Sequence, residues 1–307
     1  MFYLGIDGGG TKTKVMVIDE KLNILYENTS GPSSLDTVSE EITFKNISSA
    51  LNDFFNLDTY KEVIFKTVFA GLGGIFHNND KLRLIEILKK LQGVNKNTLL
   101  IGESDAENAL ASGLLFDEGI ALIAGTGMVA YGKNLSGETH KAGGMGYKEG
   151  DLGSSYDLGI NALRAISRAL DHRHEDTSFT DELKKHLDIK TMSDLQNVTE
   201  KWYTERTKVA SLAPFVTKHA NLGNPYAQNI CNNAVYELSI AVKSVQTTLK
   251  LENPILVIVG SLGNVDGYFK SSLHKLLNEM IPTIKITEPK IDPAYAAAQL
   301  ALIQSHK

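Results

Sequence analysis

The stretch Tyr3-Leu4-Gly5-Ile6-Asp7-Gly8-Gly9-Gly10-Thr11-Lys12-Thr13-Lys14-Val15-Met16-Val17-Ile18 decides how this chain folds. An apolar run ends on the carboxylate of Asp7, three consecutive glycines follow, and an alternating apolar strand begins at Val15. This pattern predicts a β-hairpin with a glycine tip. An ordinary hairpin turn is the alternative, but such a turn does not need a third glycine, which costs backbone entropy.

The tip of this hairpin has the chemistry of a phosphate-binding turn. Glycine lets backbone N–H groups approach an anion closely, while hydroxyl groups and a lysine add further donors. These groups belong to Gly9, Gly10, Thr11, Lys12 and Thr13. Asp7 would hold Mg²⁺ through water, because this ion takes one or two carboxylates together with phosphate oxygens.

The composition excludes several classes of protein. The 307 residues, 42% hydrophobic and 22% charged, suffice for one large core or two ordinary ones. A formal net charge of −5 argues against a general nucleic-acid binder, which needs a basic face. No basic segment precedes the hairpin and the apolar stretches are short, so we expect a cytoplasmic protein without a membrane partner.

Two other features invite a metal-site interpretation. Cys231 is the only cysteine, so one subunit cannot form an internal disulfide or a Cys-ligated cluster, and we expect a small buried thiol in a helix. The hydrophilic residues 171–181 include His172 and His174. No apolar framework orients them, so we expect a solvated loop.

Strands and amphipathic helices alternate after the hairpin. A third strand is predicted from Ile24, helices at 39–55 and 81–91, and strands at 63–70 and 98–102. This order predicts a mixed sheet of the α/β class.

Asp105 follows the strand at 98–102 and precedes an alanine-rich helix. Open α/β sheets bind ligands at the carboxyl ends of their strands, so this carboxylate is a candidate ligand-binding group. Asp105 is also a good N-cap residue, and a plain helix cap is an equally open interpretation of the stretch taken alone.

The second half repeats the plan of the first. A strand at 120–124 leads into Gly125-Thr126-Gly127 and a returning strand at 128–132, which predicts a second, similar unit. The segment from Gly127 to Lys133 resembles a Walker A loop. We reject that interpretation because Asn134 stands where Ser or Thr should bind magnesium, and no helix is predicted to follow.

Two later glycine segments complete the pattern. Residues 143–153 are dense in glycine and carry Asp151, which indicates a backbone shaped around a small polar ligand rather than a flexible linker. Residues 192–251 are predicted to be mostly helical. A buried strand at 255–259 then delivers Gly260-Ser261-Leu262-Gly263, a turn against which a nucleobase and ribose could stack.

Taken in order, these landmarks resemble the BadF/BadG/BcrA/BcrD family, and within it the chain is most similar to the N-acetylglucosamine kinases. The resemblance spans residues 3 to about 300 and rests on six segments. They are Asp7–Thr13, Ala70–Gly74, Asp105–Ala106, Gly125–Gly127, Gly143–Ser154 and Gly260–Gly263.

The resemblance implies an α/β fold of two actin-like (ribonuclease H-like) lobes. Each lobe would contain a mixed five-stranded sheet flanked by helices, with an ATP cleft between them. The N-terminal lobe would comprise residues 1–114 with a returning C-terminal helix at about 292–307, and the C-terminal lobe residues 115–291. A homodimer is expected by resemblance alone.

The resemblance also implies a kinase that phosphorylates an amino sugar with ATP and Mg²⁺. Asp105 would be the catalytic base and Asp7 the Mg²⁺ ligand through water. The phosphates would meet Gly9, Gly10, Thr11, Lys12, Thr13, Gly125, Thr126 and Gly127; the adenosine would meet Ala213, Gly260, Ser261 and Gly263. The sugar would meet Ser34, Asp36, Asp105, Gly144, Met145, Gly146 and Asp151.

Three departures leave the sugar open. The second phosphate turn continues with Met128-Val129 instead of Ser-Asn, Met145 replaces a common Trp, and 33–36 lacks the expected Asn. N-acetylglucosamine, N-acetylmuramic acid, glucosamine or another hexosamine would fit.

Other functions of the same fold are the alternatives. An ATPase activator of a radical dehydratase needs two cysteines per subunit for its iron–sulfur cluster, and this chain has one. A nucleotide-dependent binding protein would carry a substrate-binding second domain or a lid segment, which the sequence does not offer. The cysteine-rich zinc motif of the ROK sugar kinases is missing.

Overall fold

The computed structural model describes residues 1–114, 118–202 and 204–306. The chain divides into two compact units. Unit 1 comprises Met1–Asp117 and Glu288–Lys307, and unit 2 comprises Glu118–Thr287. The boundary expected after residue 114 adjoins residues 115–117, which lie outside the described part of the chain.

Strands and helices alternate largely as the sequence predicts. The strands are β1 (Tyr3–Gly8), β2 (Thr13–Ile18), β3 (Ile24–Ser30), β4 (Thr67–Leu72), β5 (Leu99–Ser104), β6 (Gly119–Ala124), β7 (Met128–Lys133), β8 (Thr139–Gly143), β9 (Ile255–Val259) and β10 (Lys285–Thr287). The helices are α1 (Glu40–Asn56), α2 (Asn78–Leu88), α3 (Asp105–Gly113), α4 (Ser155–Leu170), α5 (Ser178–Leu187), α6 (Met192–Trp202), α7 (Arg206–Ala210), α8 (Ala213–Asn221), α9 (Pro225–Thr248), α10 (Tyr268–Met280) and α11 (Pro293–Gln304).

The sheet of unit 1 has the strand order β3-β2-β1-β4-β5. Short turns join β1, β2 and β3, so these strands pair antiparallel, whereas helical crossovers make β1, β4 and β5 parallel. The carboxyl ends of the three parallel strands therefore meet at one edge of the sheet. Asp7, the glycines after β4 and Asp105 lie at this edge.

Helices cover both faces of this sheet. On one face α1 contributes Ile47, Leu51 and Phe54 to a core that includes Leu4 and Ile6 of β1. On the other face lies α11. Its buried alanines pack against large side chains of the sheet, namely Tyr3, Met16, Ile18 and Phe69. The carboxyl terminus thus completes the core of the amino-terminal unit.

Unit 2 repeats the topology. Its sheet has the order β10-β9-β6-β7-β8, with β6 antiparallel to β7 and parallel to β9. The two mixed five-stranded sheets confirm the expected fold class. The sequence did not predict β8, an edge strand that contains no fully buried residue.

The helices and the sheet of unit 2 enclose one large hydrophobic core. Cys231 is buried in this core on α9, as expected, and burial raises the pKa of its thiol to about 12. In the hydrophilic segment, Arg173 pairs with Asp171, and α5 begins at Ser178, so the last residues of the expected loop are helical instead. No helix in the described part of the chain has the length and apolarity needed to cross a bilayer.

Candidate active site

Asp7 and Asn108 form the centre of the polar edge of unit 1. The side-chain amide of Asn108 donates hydrogen bonds to Asp7 Oδ1 (2.9 Å), to the Ile6 carbonyl (3.1 Å) and to the Gly71 carbonyl (3.2 Å). Asn108 is fully buried on α3. It therefore ties the helix to the ends of β1 and β4 and fixes the orientation of the Asp7 carboxylate.

The surroundings of Asp7 disfavour its charged form. Its pKa is raised to about 7, chiefly by burial and also by the negative charges of Asp105 and Asp292, while the Asn108 hydrogen bond and the charge of Lys12 oppose the rise. Asp7 keeps part of its surface exposed. A desolvated carboxylate held by an amide fits Mg²⁺, which takes few carboxylates and completes its shell with waters and phosphate oxygens.

The glycine tip is a tight turn in which the Gly9 N–H donates to the Lys12 carbonyl (2.9 Å). None of Gly8, Gly9 and Gly10 has positive φ, so left-handed backbone is not the reason for the triple glycine. A Cβ on Gly8 would lie 2.1 Å from Ser33 Oγ, whereas one on Gly9 would meet only the Lys12 carbonyl oxygen, at 4.0 Å. Gly8 is therefore required by packing, and Gly9 leaves room for a ligand.

The hydroxyl and amide groups of this turn divide into two sets. Thr13 is buried and donates its hydroxyl to the Gly31 carbonyl (2.6 Å), so this predicted phosphate donor holds the turn in place. Thr11 and Lys12 are exposed. Within the described residues, the N–H groups of Gly10, Thr11 and Lys12 make no hydrogen bond, which leaves them for an anion.

Backbone hydrogen bonds join the hairpin to two neighbouring loops. The N–H groups of Ser33 and Ser34 donate to the Gly9 carbonyl (3.1 and 3.2 Å). Gly73 donates to the Gly8 carbonyl (2.8 Å), and Leu35 to the Gly73 carbonyl (3.0 Å). The hairpin, the loop 31–36 and the turn after β4 thus form one continuous surface.

Ser34, Asp36 and Asp105 gather beside Gly73 on this surface. The Ser34 hydroxyl donates to the Asp36 carboxylate. A Cβ on Gly73 would lie 2.5 Å from Ser34 Oγ and 3.5 Å from Asp105 Oδ2, so both side chains lie directly beside this glycine. Gly74 has φ +79° and faces the backbone of Asp36. Three predicted sugar-binding side chains are therefore brought together.

Asp105 is the first residue of α3 and not its N-cap. Ser104 is the cap, and its hydroxyl accepts a hydrogen bond from the Ala106 N–H (3.3 Å). The plain-cap interpretation of Asp105 is therefore wrong. Its Oδ1 lies within hydrogen-bond distance of the Ser104 hydroxyl (3.2 Å), which leaves the carboxylate at the strand end.

The turn Gly125–Gly127 of unit 2 is held by the start of α4. Ser155 and Tyr156 donate their N–H groups to the carbonyls of Gly125 (2.8 Å) and Thr126 (3.3 Å), and the Gly125 N–H donates to the Gly127 carbonyl (2.9 Å). The carbonyls are thus engaged. In the described part of the chain the N–H groups of Thr126 and Gly127 make no hydrogen bond and are suited to an anion.

Arg206, which the sequence did not single out, lies directly against this turn. Its Nη2 would be 2.0 Å from a Cβ on Gly127, and it forms an ion pair with Asp151 (2.7 Å). The Asp151 side chain is 3% exposed and that of Arg206 15%. Arg206 also approaches the Tyr147 ring, 5.8 Å from its centroid. The predicted sugar ligand Asp151 is therefore joined to the phosphate turn through an arginine.

Three further predicted sugar contacts, Gly144, Met145 and Gly146, lie in the loop that follows β8. Gly144 and Gly146 have φ of +67° and +101°, conformations that favour glycine. Met145 is 64% exposed between them. A side chain presented on a glycine-flanked loop is accessible to a ligand.

The predicted adenosine turn lies next to the turn Gly125–Gly127. The N–H groups of Leu262 and Gly263 both donate to the Ala124 carbonyl (3.1 Å each). Gly260 has φ +97° and packs against the same carbonyl, and Ser261 is exposed. Ala213, by contrast, begins α8, and its side chain is buried in the core of unit 2.

Comparisons with known proteins show which family this chain belongs to. Residues 4–302 match the BadF/BadG/BcrA/BcrD ATPase family. The chain is 30% identical to an N-acetylmuramic acid/N-acetylglucosamine kinase of Clostridium acetobutylicum, over 98% of both chains. It is 31% identical to an N-acetyl-D-glucosamine kinase of Dictyostelium discoideum, over 98% of this chain and 97% of that protein. A Chromobacterium violaceum crystal structure assigned to the N-acetylglucosamine kinases shares the fold, with TM-score 0.80, 20% identity and 98% coverage of both chains.

Proposed function

Because the chain belongs to the BadF/BadG/BcrA/BcrD ATPase family, we propose that it transfers the γ-phosphoryl group of ATP to a hydroxyl of an amino sugar. The full-length similarity to kinases of N-acetylglucosamine and N-acetylmuramic acid supports this activity. A glucosamine kinase of Vibrio cholerae, 21% identical over 78% of this chain, widens the set of candidate sugars.

The observation that carries the proposal is the cluster beside Gly73 in unit 1. Asp105 Oδ2 and Ser34 Oγ both lie beside Gly73, 3.5 and 2.5 Å from where its Cβ would be. A sugar hydroxyl bound next to Asp105 would donate its proton to that carboxylate as its oxygen attacks phosphorus. Phosphoryl transfer requires mainly positioning and electrostatic stabilisation, so one base among hydrogen-bonding groups is sufficient.

Backbone amides and a cation would stabilise the phosphoryl oxygens. The N–H groups of Gly10, Thr11 and Lys12 in unit 1, and those of Thr126 and Gly127 in unit 2, each suit an anion. Mg²⁺ bound through Asp7 would supply charge neutralisation at the phosphates. The Asn108 amide would keep the Asp7 carboxylate in the orientation that this role requires.

The remaining predicted contacts define the proposed sites for the nucleoside and the sugar. The turn from Gly260 to Gly263, which is exposed at Gly260 and Ser261, would receive the adenosine. Within unit 1 the proposed sugar contacts are Ser34, Asp36 and Asp105. Within unit 2 they are Gly144, Met145, Gly146 and Asp151.

The proposal is tested by measuring ADP release from Mg-ATP with N-acetylglucosamine, N-acetylmuramic acid, glucosamine, glucose or no sugar. We expect one or more amino sugars to stimulate release. Asp105→Asn should lower that turnover by about 10²- to 10⁴-fold, the usual contribution of a general base. Asp58→Asn, whose parent side chain is 99% exposed, is the control and should retain full activity.

Two results would contradict this function. Hydrolysis that is the same with every sugar and without sugar would exclude an amino-sugar kinase. If the sugar-dependent turnover of Asp105→Asn stayed within a few-fold of the parent value, the protein would still be a kinase, but Asp105 would not be its catalytic base.

A further inference from the structure

Residues 171–181, for which the sequence predicts a solvated loop, contribute to a cavity in unit 2. The cavity lies between this segment and the helices α4 and α9, and its volume is about 200 Å³. Pockets for drug-sized ligands measure roughly 300–1,000 Å³, so a smaller ligand fits here. The polar part of its lining consists of Asn161, Arg168, His174, Tyr226, Asn229 and Asn233.

Regular helical spacing brings side chains of α4 and α9 to this cavity. Ala165 and Arg168 are three positions apart on α4, so they share one face of that helix. Asn229 and Asn233, four positions apart, do the same on α9. The lining also includes the buried side chains of Ala165 and Ile230. Polar contacts made beside such apolar surface are stronger than contacts in water.

His174 is held against both helices. Its ring stacks on that of Tyr226, with centroids 4.3 Å apart and planes at 15°. Its backbone N–H donates to the Arg168 carbonyl (3.0 Å). The expectation of a solvated loop is therefore wrong at this residue. Among the described residues, no group of three or more His, Cys, Asp or Glu side chains could hold a metal ion, so His174 does not indicate a metal site.

The charges at the cavity favour an anion. No acidic residue lines it. In the described part of the chain, the Arg168 guanidinium makes no hydrogen bond and no ion pair. Asp171 and Asp176 of the adjoining segment pair with other cations (2.7 and 2.6 Å), and Glu175 is exposed. In a chain of net charge −5, an uncompensated cation at a cavity indicates a negatively charged ligand.

The hydrogen-bond donors at the cavity suit a phosphate group. Asn161 is not one of them, because its amide already donates to Asp157 Oδ1 (2.9 Å). The side chains that make no hydrogen bond within the described residues are those of Arg168, His174, Asn229 and Asn233. They offer a planar guanidinium fork, an imidazole N–H and two amide groups. A phosphate group has at least three acceptor oxygens and binds a guanidinium through two of them, whereas a carboxylate has only two oxygens.

We propose that this cavity is a binding site for a phosphate group, either inorganic phosphate or the phosphate of a small monoester. Arg168 is its principal ligand, and His174, Asn229 and Asn233 donate further hydrogen bonds. The site lies within unit 2 and does not depend on the proposed kinase activity. It shares α4 with the turn Gly125–Gly127, which the first residues of that helix hold in place.

The test follows the imidazole signals of histidine-labelled protein by NMR during a titration with inorganic phosphate at constant ionic strength. The signal of His174 is assigned by its loss in His174→Gln. We expect a saturable shift of this signal in the parent protein. In Arg168→Gln the Kd for phosphate should rise about 10- to 100-fold, the range of a hydrogen bond to a charged group.

The matched control is Arg164→Gln, which removes the same charge from an exposed arginine one turn earlier on α4. The parent Arg164 donates to Asn161 Oδ1 (3.1 Å) and does not line the cavity. This variant should leave the Kd unchanged. The remaining histidines should keep their signals in both variants, which would show that the fold is preserved.

A second titration with glycerol 3-phosphate distinguishes the two sources of the phosphate group. A lower Kd than that of inorganic phosphate would identify a monoester as the ligand, and a higher one would identify the free ion.

Three results would overturn the proposal. The first is a His174 signal that does not move, or that chloride alone moves equally at the same ionic strength. The second is the same Kd in Arg168→Gln as in the parent, which would mean that phosphate binds elsewhere. The third is an equal loss of affinity in Arg164→Gln, which would reduce the effect to the general charge of α4. None of these results would change the outcome of the ADP-release assay.

Discussion

Asp7 illustrates how a single residue can oppose stability. Its carboxyl has a pKa of about 7, against an ordinary value of 3.8, because burial disfavours the charged form and Asp105 adds repulsion. The neighbouring amide of Asn108 compensates only in part. A carboxyl group in such an environment lowers the stability of the fold, so its value to the protein lies in the ligand that it binds.

We predict that Asp7→Asn stabilises the metal-free protein while it abolishes kinase activity. The amide avoids the cost of ionising a buried carboxyl and is nearly the same size. Since the folded pKa is raised, the parent loses stability as pH rises from about 4 to about 7, and the loss is then constant. The advantage of Asp7→Asn should therefore grow over that interval to about 2–4 kcal/mol, measured by chemical denaturation in EDTA.

Asp58→Asn serves as the control for this pH series. Its parent carboxylate is 99% exposed, so its stability relative to the parent protein should change little with pH. The prediction would be contradicted if Asp7→Asn had the same free energy of unfolding as the parent protein at pH 8, or a lower one. Such a result would mean that the Asp7 carboxylate is better solvated than the structure indicates.

For single residues, the sequence predicts the glycines and carboxylates of the candidate site, but not the side chains that contact them. Asp7, Asp105 and the glycine turns follow from local patterns at strand ends. Asn108 and Arg206 were missed because their roles depend on contacts with residues 101 and 55 positions away. A usable signal for Asn108 was its spacing from Asp105, one helical turn earlier on the same face of α3. No local pattern marks Arg206.

Among the elements, α11 approaches the sheet of unit 1 most closely. A Cβ on Gly5 of β1 would lie 2.2 Å from the Ala298 nitrogen and 2.3 Å from the Ala294 carbonyl oxygen, both backbone atoms. The alanines of α11 allow this contact, since larger side chains would hold the helix away. The close contact between α11 and β1 therefore depends on small residues in both elements.

Gly5→Ala should destabilise unit 1 strongly, because no flexible side chain can move away from the added methyl group. We expect a loss of about 2–3 kcal/mol or more, the upper range for overpacking, measured by denaturant unfolding. Gly125→Ala provides the matched comparison for stability alone, since its Cβ would meet nothing within 4 Å. Equal melting temperatures for the two variants would show that α11 can shift on the sheet.

The sequence predicted those elements whose apolar pattern reflects deep burial. The strand at 255–259 coincides with β9, α1 and α11 lie close to their expected positions, and residues 192–251 are mostly helical as predicted. In contrast, β8 reads Thr-His-Lys-Ala-Gly and was missed, because an edge strand with half-exposed residues has no apolar alternation to detect. The predicted strand at 63–70 was also too early; β4 begins at Thr67, and the apolar Phe65 packs in the core from a loop.

For the whole molecule, one topology accounts for both units. Each unit has three antiparallel strands followed by two parallel ones, and each carries a glycine turn between its first two strands. The weak repeat in the sequence was sufficient to predict this duplication. It did not reveal that unit 2 has six described helices, α4 to α9, between its third and fourth strands, where unit 1 has α1 alone.

The division of the chain makes a prediction about fragments. Residues 118–287 contain a complete sheet and the largest core, so we expect them to fold cooperatively when expressed alone. Residues 1–117 lack α11 and would expose the face formed by Tyr3, Met16 and Phe69, at about 1.5–3 kcal/mol for each large side chain. This fragment should not reach a native fold.

Unit 1 should be restored by joining residues 1–113 to 289–307 through a short Gly-Ser linker. The N–H groups of Lys290 and Ile291 donate to the Ser112 carbonyl (2.9 and 3.1 Å), so the two segments already meet at the point of fusion. We expect a sharp thermal transition by circular dichroism for the fusion and none for 1–117. If 1–117 melts at the same temperature as the fusion, α11 adds little to the core and the close fit at Gly5 serves another purpose.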